Sequence, residues 1–177
     1  MVLPDKHLYG QAFALYALTE YALATHDEEA SRLADDLVET LETHAHDAEF
    51  GGYREYFRAD WTAVPADSST FFYRNFSGPD TKLMNTHMHL LEAFTNYYRL
   101  AGTELARARL VELVLIESTL LSFAGGLIGV SAAMGMLAIR DMSIGAEAVS
   151  IAFTPTLRLF SIGLLVSLVA GILAGIA

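Results

Sequence analysis

The chain contains no cysteine, which excludes a disulfide framework and a thiolate metal site. Basic residues are also scarce. Eleven Lys and Arg face 21 Asp and Glu, for a net charge of −10 and no basic cluster. That balance argues against a nucleic-acid partner. No phosphate-cradling Walker motif is present. The opening "MVLPDKHLYG" lacks the basic-then-apolar order of a signal peptide. Asn75-Phe76-Ser77 fits a glycosylation sequon, a tripeptide common by chance.

What is present is unevenly placed. A length of 177 residues suggests one domain, at most two. Residues 1–112 hold nine Lys and Arg and eighteen Asp and Glu, whereas residues 113–177 hold two and three. All six histidines lie before residue 90. The sequence therefore divides near residue 113 into an acidic, histidine-bearing part and an apolar one.

In the first part, "DKHLYGQAFALYALTEYALATHD" sets Leu8, Phe13, Leu15, Tyr16, Leu18, Tyr21 and Leu23 on a broad helical stripe. Gly10 within it weakens the helix and calls for a backbone or packing reason. Thr25 and Glu28 form a capping box for a second helix carrying Leu33, Leu37 and Leu41 four residues apart. "EFGGYREYFRADW" alternates aromatic and polar residues after Gly51-Gly52, which predicts a small hairpin. "TAVPADSSTFFYRNFSGPD" is loop-like, and long loops are often functional. "TKLMNTHMHLLEAFTNYYRLAG" is a third helix, closed by Gly102, with Thr103 capping a fourth.

That fourth helix does not turn polar. From Leu113 to Ile139 the only charged residue is Glu117, and nineteen uncharged residues end the chain after a polar interruption at Arg140, Asp141 and Glu147. Both apolar stretches are long enough to span a bilayer. Gly125/Gly129 and Gly171/Gly175 form small-xxx-small faces suited to close helix contact.

Among groups that could carry chemistry, His87 and His89 stand out. Two residues apart on a helix, they point roughly 200° apart and cannot share a metal as an i, i+4 pair can. His87 falls with Leu83, Leu90, Leu91 and Phe94, whereas His89 falls with Asn85, Thr86, Glu92 and Asn96. A hydrogen-bonded structural histidine and a general base are both open readings. His44 and His46, beside Asp47, read as a solvated helix end rather than a metal site.

"KHLYGQAFALYALTEYALAT", "HDAEFGGYREYFRADW" and "KLMNTHMHLLEAFTNYYRLAG" resemble, in order, the N-acylglucosamine 2-epimerase / cellobiose 2-epimerase family. The resemblance covers residues 4 to about 112. It implies an (α/α)6 barrel, of which about a quarter to a third is present. It also implies an isomerase that opens a mono- or disaccharide and removes the proton next to the carbonyl. Two acid/base groups, usually histidines, then serve opposite faces of the carbon. The second histidine of the family's N-T-H-x-H motif matches His89, which would be one of them. Tyr9 and Asn85 match positions that line the sugar pocket. Trp61 and Phe72 carry no transferred role. The family's other catalytic histidine and an early arginine have no counterpart in the matched stretch.

"LIESTLLSFAGGLIGV" and "PTLRLFSIGLLVSLVAGILAGIA" resemble the last two spans of an FtsX/MacB-type ABC transporter permease, which pairs with a separate ATPase. Glu117, near the entry of the first span, then reads as a coupling or structural residue or, on the favoured reading, as a residue at the water boundary. The expectation is an all-α chain, a partial (α/α)6 barrel with a small hairpin near residues 50–60, then two hydrophobic, transmembrane-like helices. Residues 1–112 and 113–177 would be separate domains, the first cytoplasmic and the second in a bacterial-type inner membrane. The partners would be a sugar, the lipid bilayer and, on the permease reading, an ABC ATPase. No cofactor and no metal are expected. An epimerase fragment, a permease component and an artefactual fusion without function are the three readings, and the first two have no shared logic.

Overall fold

The computed structural model describes residues 5–64, 80–139, 143–146, 149–152 and 156–176. Phe72, the sequon at Asn75, most of the loop-like stretch, and Arg140, Asp141 and Glu147 lie outside them. Two units pack separately, Met1–Val114 and Leu115–Ala177.

In the first unit, β1 (Lys6–His7) leads into α1 (Leu8–Thr25), followed by α2 (Glu28–His44), β2 (Tyr56–Phe57), α3 (Met84–Ala101) and the start of α4 (Glu104–Ile139). Helix ends follow local chemistry. His26 adopts φ 57° and its N–H reaches back to Ala22 O at 2.8 Å, closing α1. The expected Thr25–Glu28 box does not form. Thr25 still belongs to α1 and donates to Tyr21 O, while the extended Asp27 caps α2 by accepting from Ala30 N at 2.8 Å. Glu28 and Glu29 then sit where the helix dipole favours negative charge. Gly102, at φ 62°, closes α3, and Thr103 Oγ1 accepts from Ala106 N at 3.2 Å to cap α4.

α1 packs against both α2 and α3. Its buried face is Leu8, Ala12, Leu15, Thr19 and Ala22, which keeps Leu8 and Leu15 of the stripe read from the sequence and replaces its aromatic members with small residues. Phe13, Tyr16 and Tyr21 are exposed. α2 repeats the pattern. Ala30, Ala34, Val38 and Leu41 are buried while Leu33 is exposed. Small side chains occupy the contact lines because they let helix axes approach, and hydropathy alone ranks them below Phe and Tyr. Leu90, Ala93, Phe94 and Tyr97 of α3, Ala106 and Leu113 of α4, and Tyr53 and Phe57 complete this core. Among the described residues Gly10 has no packing reason: a Cβ there would meet none of them within 4 Å.

Near residues 50–60 the chain makes short local antiparallel bridges, as the predicted hairpin required, and adds a longer-range pairing. β2 pairs antiparallel with β1, Lys6 opposite Phe57 and His7 opposite Tyr56. Single bridges join His46 to Tyr53 and Phe57 to Ala63. Gly51 and Gly52, both near φ +70°, turn the chain between His46 and Tyr53. β1 gains register because its neighbour Leu8 N–H donates to Glu55 O at 2.9 Å.

In the second unit, α4 continues to Ile139, and α5 (Leu157–Ile176) follows an antiparallel pair, β3 (Ser143–Ala146) and β4 (Val149–Ala152). That pair corrects the all-α expectation for the polar interruption. α4 and α5 run antiparallel. Ser118 faces Gly175, Ser122 faces Gly171, Gly126 faces Ser167 and Val130 faces Gly163. A Cβ on Gly126 would fall 2.5 Å from Ser167 Oγ, and one on Gly163 would fall 2.9 Å from Val130 Cγ2. Ser167 Oγ also donates to Ser122 O at 2.8 Å. The pairing Gly171/Gly175 thus has a close partner, whereas a Cβ on Gly125 or Gly129 would meet none of the described residues within 4 Å and Gly126 takes their place.

Because the chain has no cysteine, this register can be tested by crosslinking. Ser122→Cys with Gly171→Cys should give an intramolecular disulfide on mild oxidation, seen as faster migration on a non-reducing gel. The pair Gly125→Cys with Gly171→Cys should not crosslink. Adding Gly126→Leu, which puts bulk where Ser167 packs, should reduce the first crosslink several-fold.

Candidate functional site

His87 and His89 occupy different environments, as their spacing requires. His87 is buried and accepts from Tyr53 N–H through Nε2 at 3.0 Å, while Nδ1 donates to Leu83 O at 2.9 Å. Those partners assign the Nδ1–H tautomer and a structural role, pinning the 50s segment to α3. His89 is 22% exposed and lies 3.0 Å from Glu92 Oε2 through Nδ1. The Tyr9 ring meets it edge-on at 5.1 Å, and the Phe13 ring lies 4.6 Å away. The fold therefore brings Tyr9 and His89 together from α1 and α3. Asn85 is exposed, one turn before His89. Two residues placed on that face by helical geometry turn elsewhere: Thr86 and Asn96 are buried, donating to Glu55 and Glu20.

The anchor of this site was not visible in the sequence. Glu55 is wholly buried, and its Oε1 collects three groups. Thr86 Oγ1 donates at 2.9 Å, Tyr9 N–H approaches at 3.3 Å, and His7 Nε2 lies 2.9 Å away. The His7 ring stacks on Tyr56 at 5.0 Å and lies 5.9 Å from that of Tyr9. Tyr9, Phe13 and His89 form a mutual ring cluster that His7 extends through Tyr9. The only sequence signal for Glu55 was a lone carboxylate between aromatic residues in "GGYREYF".

The reading of His44, His46 and Asp47 as a solvated helix end holds only for His44, which is exposed and stacks on Trp61 at 5.2 Å. Trp61 also lies under Lys6, 5.1 Å from the ring centroid, and adopts φ 66° in a turn. His46 lies 3.2 Å from Glu112, which also accepts from Gly52 N–H and Arg109. Arg109 forks onto Glu42 at 2.7–3.0 Å, joining α4 to α2. Asp47 is buried, 2.7 Å from Lys82 and 3.3 Å from Arg54. These residues meet because the turn at Gly51-Gly52 folds back onto α4. No group of three or more metal-ligating side chains occurs among the described residues.

Residues 1–119 match the family model of N-acylglucosamine 2-epimerase. The chain belongs to this family. It is 41% identical over 105 residues to a cellobiose 2-epimerase of Ruminococcus albus, covering 59% of this chain and 25% of that one. It is 37% identical over 94 residues to the cellobiose 2-epimerase of Bacteroides fragilis, covering 53% and 23%. The cellobiose 2-epimerase structure from Spirochaeta thermophila superposes with TM-score 0.54 at 36% identity, over 65% of this chain and 28% of that one. A D-mannose isomerase structure, at 21% identity and TM-score 0.51, shares the fold. This 2-epimerase-family chain spans about a quarter of the length of the relatives it matches. No comparison supports the permease likeness of the apolar part.

Acid should open the epimerase-like unit at Asp47. The hydrogen bond from Lys82 holds its carboxyl down to about 2, against the opposing effect of burial and helped by the N–H groups of Phe50 and Glu49. An unfolded aspartate titrates near 3.9. The ion pair's contribution is therefore complete above about pH 4 and is lost as pH falls toward 2. Far-UV circular dichroism melts should show stability falling across that window, and Asp47→Asn should flatten the fall while lowering stability at pH 7.

Proposed function

We propose that residues 5–114 form one wall of a sugar 2-epimerase-type site acting on a mono- or disaccharide, with His89 as an acid/base group and Tyr9 and Asn85 against the sugar. The observation that carries this reading is the Tyr9–His89–Phe13 ring cluster on a partly open face. Aromatic faces suit the apolar C–H face of a pyranose, and an imidazole takes and returns protons near neutral pH. Relatives named as cellobiose 2-epimerases support the substrate class. The chemistry would be removal of the proton next to the carbonyl of the opened sugar, then its return on the other face.

The reading is tested by saturation-transfer NMR with cellobiose. Binding is expected, weakened about tenfold in Tyr9→Ala and His89→Ala, or about 1.4 kcal/mol. An unchanged signal in both variants would refute it. His89 serves only one face of the carbon, and a general acid/base group contributes about 10²–10⁴-fold. We therefore expect no 2-epimerised product from cellobiose, mannose or N-acetylmannosamine by chromatography. Turnover that vanishes in His89→Ala would show that self-association completes the site.

A second reading concerns residues 115–176. The apolar windows of the two long helices have mean hydropathies of 1.9 and 2.2 and are only 11% and 6% buried, whereas a soluble core helix is mostly buried. That exposure supports a lipid environment as their cover. Arg107 and Arg109, before the first span, then favour a cytoplasmic acidic segment. Ser143→Cys should react with an impermeant thiol reagent from outside intact cells, and labelling only after lysis would contradict this orientation. The permease reading, with an ABC ATPase as partner, rests on span wording alone and predicts ATPase copurification.

A further inference from the structure

The facing pairs of α4 and α5 keep one register. Ser118, Ser122, Gly126 and Val130 step by four along α4, as Gly175, Gly171, Ser167 and Gly163 step by four back along α5. Extended in both directions, that register sets Glu117 level with Ile176 and Arg158 level with Gly135. Residues 118–139 of α4 and 159–176 of α5 carry no charged side chain. From Glu117 to the level of Arg158 the uncharged belt is therefore about 27 Å long at about 1.5 Å per residue, and on α4 it runs about 6 Å further, to Ile139. The two lengths bracket the hydrocarbon thickness of a bilayer, about 30 Å. Hydroxyls inside the belt turn to the backbone. Ser167 Oγ donates to Ser122 O at 2.8 Å and Ser118 Oγ to Leu115 O at 3.3 Å. Large apolar side chains face outward at matched levels, Leu120 with Leu173, Ile128 with Leu165 and Met136 with Leu157. The middle pair is 71% and 61% exposed, so protein does not cover the centre of the belt among the described residues.

We propose that Glu117 and Arg158 are the two interfacial anchors of this helix pair, fixing its depth in a bilayer whose hydrocarbon covers the belt between them. The proposal rests on the lipid reading of residues 115–176 above. An uncharged span by itself can slide along the bilayer normal. A charged side chain is costly in hydrocarbon and at ease among headgroups and water. The acid and the base lie on different helices at opposite ends of the pair, so only one depth lets both reach water. Sliding the pair by one turn in either direction draws one charge about 5.4 Å into hydrocarbon. Arg158 is exposed, and its apolar stem lets the guanidinium rise toward lipid phosphates at the level of Met136–Ile139. That reach reconciles the shorter belt on α5 with the longer one on α4. Glu117 has the shorter side chain and marks its rim more sharply. The midplane then falls close to Ile128 and Leu165. Local spacing in the sequence does not relate Glu117 to Arg158; the serine–glycine register does.

The test uses the full chain in dioleoylphosphatidylcholine vesicles. Because the chain has no cysteine, one substitution at a time places a nitroxide label. Depth is read as the ratio of label collisions with oxygen, which concentrates in hydrocarbon, to collisions with a water-soluble nickel chelate. Labels at Ile128→Cys and Leu165→Cys should be the deepest and equal. Labels at Leu120→Cys and Leu173→Cys, and at Met136→Cys and Leu157→Cys, should give ratios several-fold lower and equal within each pair. Glu117→Leu should raise the ratio at Leu120→Cys, and Arg158→Leu should raise it at Met136→Cys, each without deepening the opposite rim. A maximum displaced to either rim would overturn the anchors and spare the lipid reading. So would a uniform shallow depth, or charge variants that move neither rim. Free chelate access at all six positions would overturn both. Low access to oxygen and chelate alike at Ile128 and Leu165 would show protein covering that level, and would also overturn both.

Discussion

One wholly buried carboxylate sets the frame of the first unit. Glu55 Oε1 gathers the start of α1 through Tyr9 N–H, α3 through Thr86 and the β1 residue His7, while Glu55's own backbone bonds Leu8 and Thr81. A carboxylate out of water is costly unless hydrogen bonds satisfy it. Here one oxygen is held by two segments far apart in sequence, residues 7–9 and Thr86, so leaving either of them is expensive. That cost specifies a single arrangement of β1, β2, α1 and α3. The rings of Tyr9 and His89 meet as a consequence of it.

A second polar cluster does the same for α4. Glu112 and Arg109 reach His46, Gly52 and Glu42. Bidentate guanidinium–carboxylate geometry fixes direction as well as distance, which a purely apolar contact between helices would not. Between these two polar anchors the apolar core is lined by small residues, Ala12, Ala34, Ala93 and Ala106, with Leu8, Leu15, Leu41 and Leu90 filling the gaps. The large aromatic residues of α1 are left outside, where Phe13 and Tyr9 become part of the ring-lined face.

The second unit is organised by a different force. Its helices have little hydrophobic contrast between faces, so burial in water does not choose a partner face. Contact is instead chosen by size, with Ser118, Ser122 and Ser167 lying against Gly175, Gly171 and Gly126. Close backbone approach and one serine-to-carbonyl hydrogen bond replace the polar anchors of the first unit.

Sequence alone determined the Gly102–Thr103 break, the opposed directions of His87 and His89, the family and the change in composition near residue 113. Each follows from local chemistry or from wording along the chain. Only the tertiary structure decided that alanines rather than aromatics line α1's contacts, and that Asp27 rather than Thr25 caps α2. It likewise added to the local turns of residues 46–63 a strand paired some 50 residues away, Lys6 against Phe57. The same holds for the candidate site. Tyr9 and His89 were marked by the family wording, but Glu55, His7 and Phe13 were not. Their importance lies in a meeting of residues 7–13, 55 and 86–89, and no period or spacing records a contact between segments that far apart. Tertiary packing creates such a contact, because a buried charge must find its partners wherever the fold brings them.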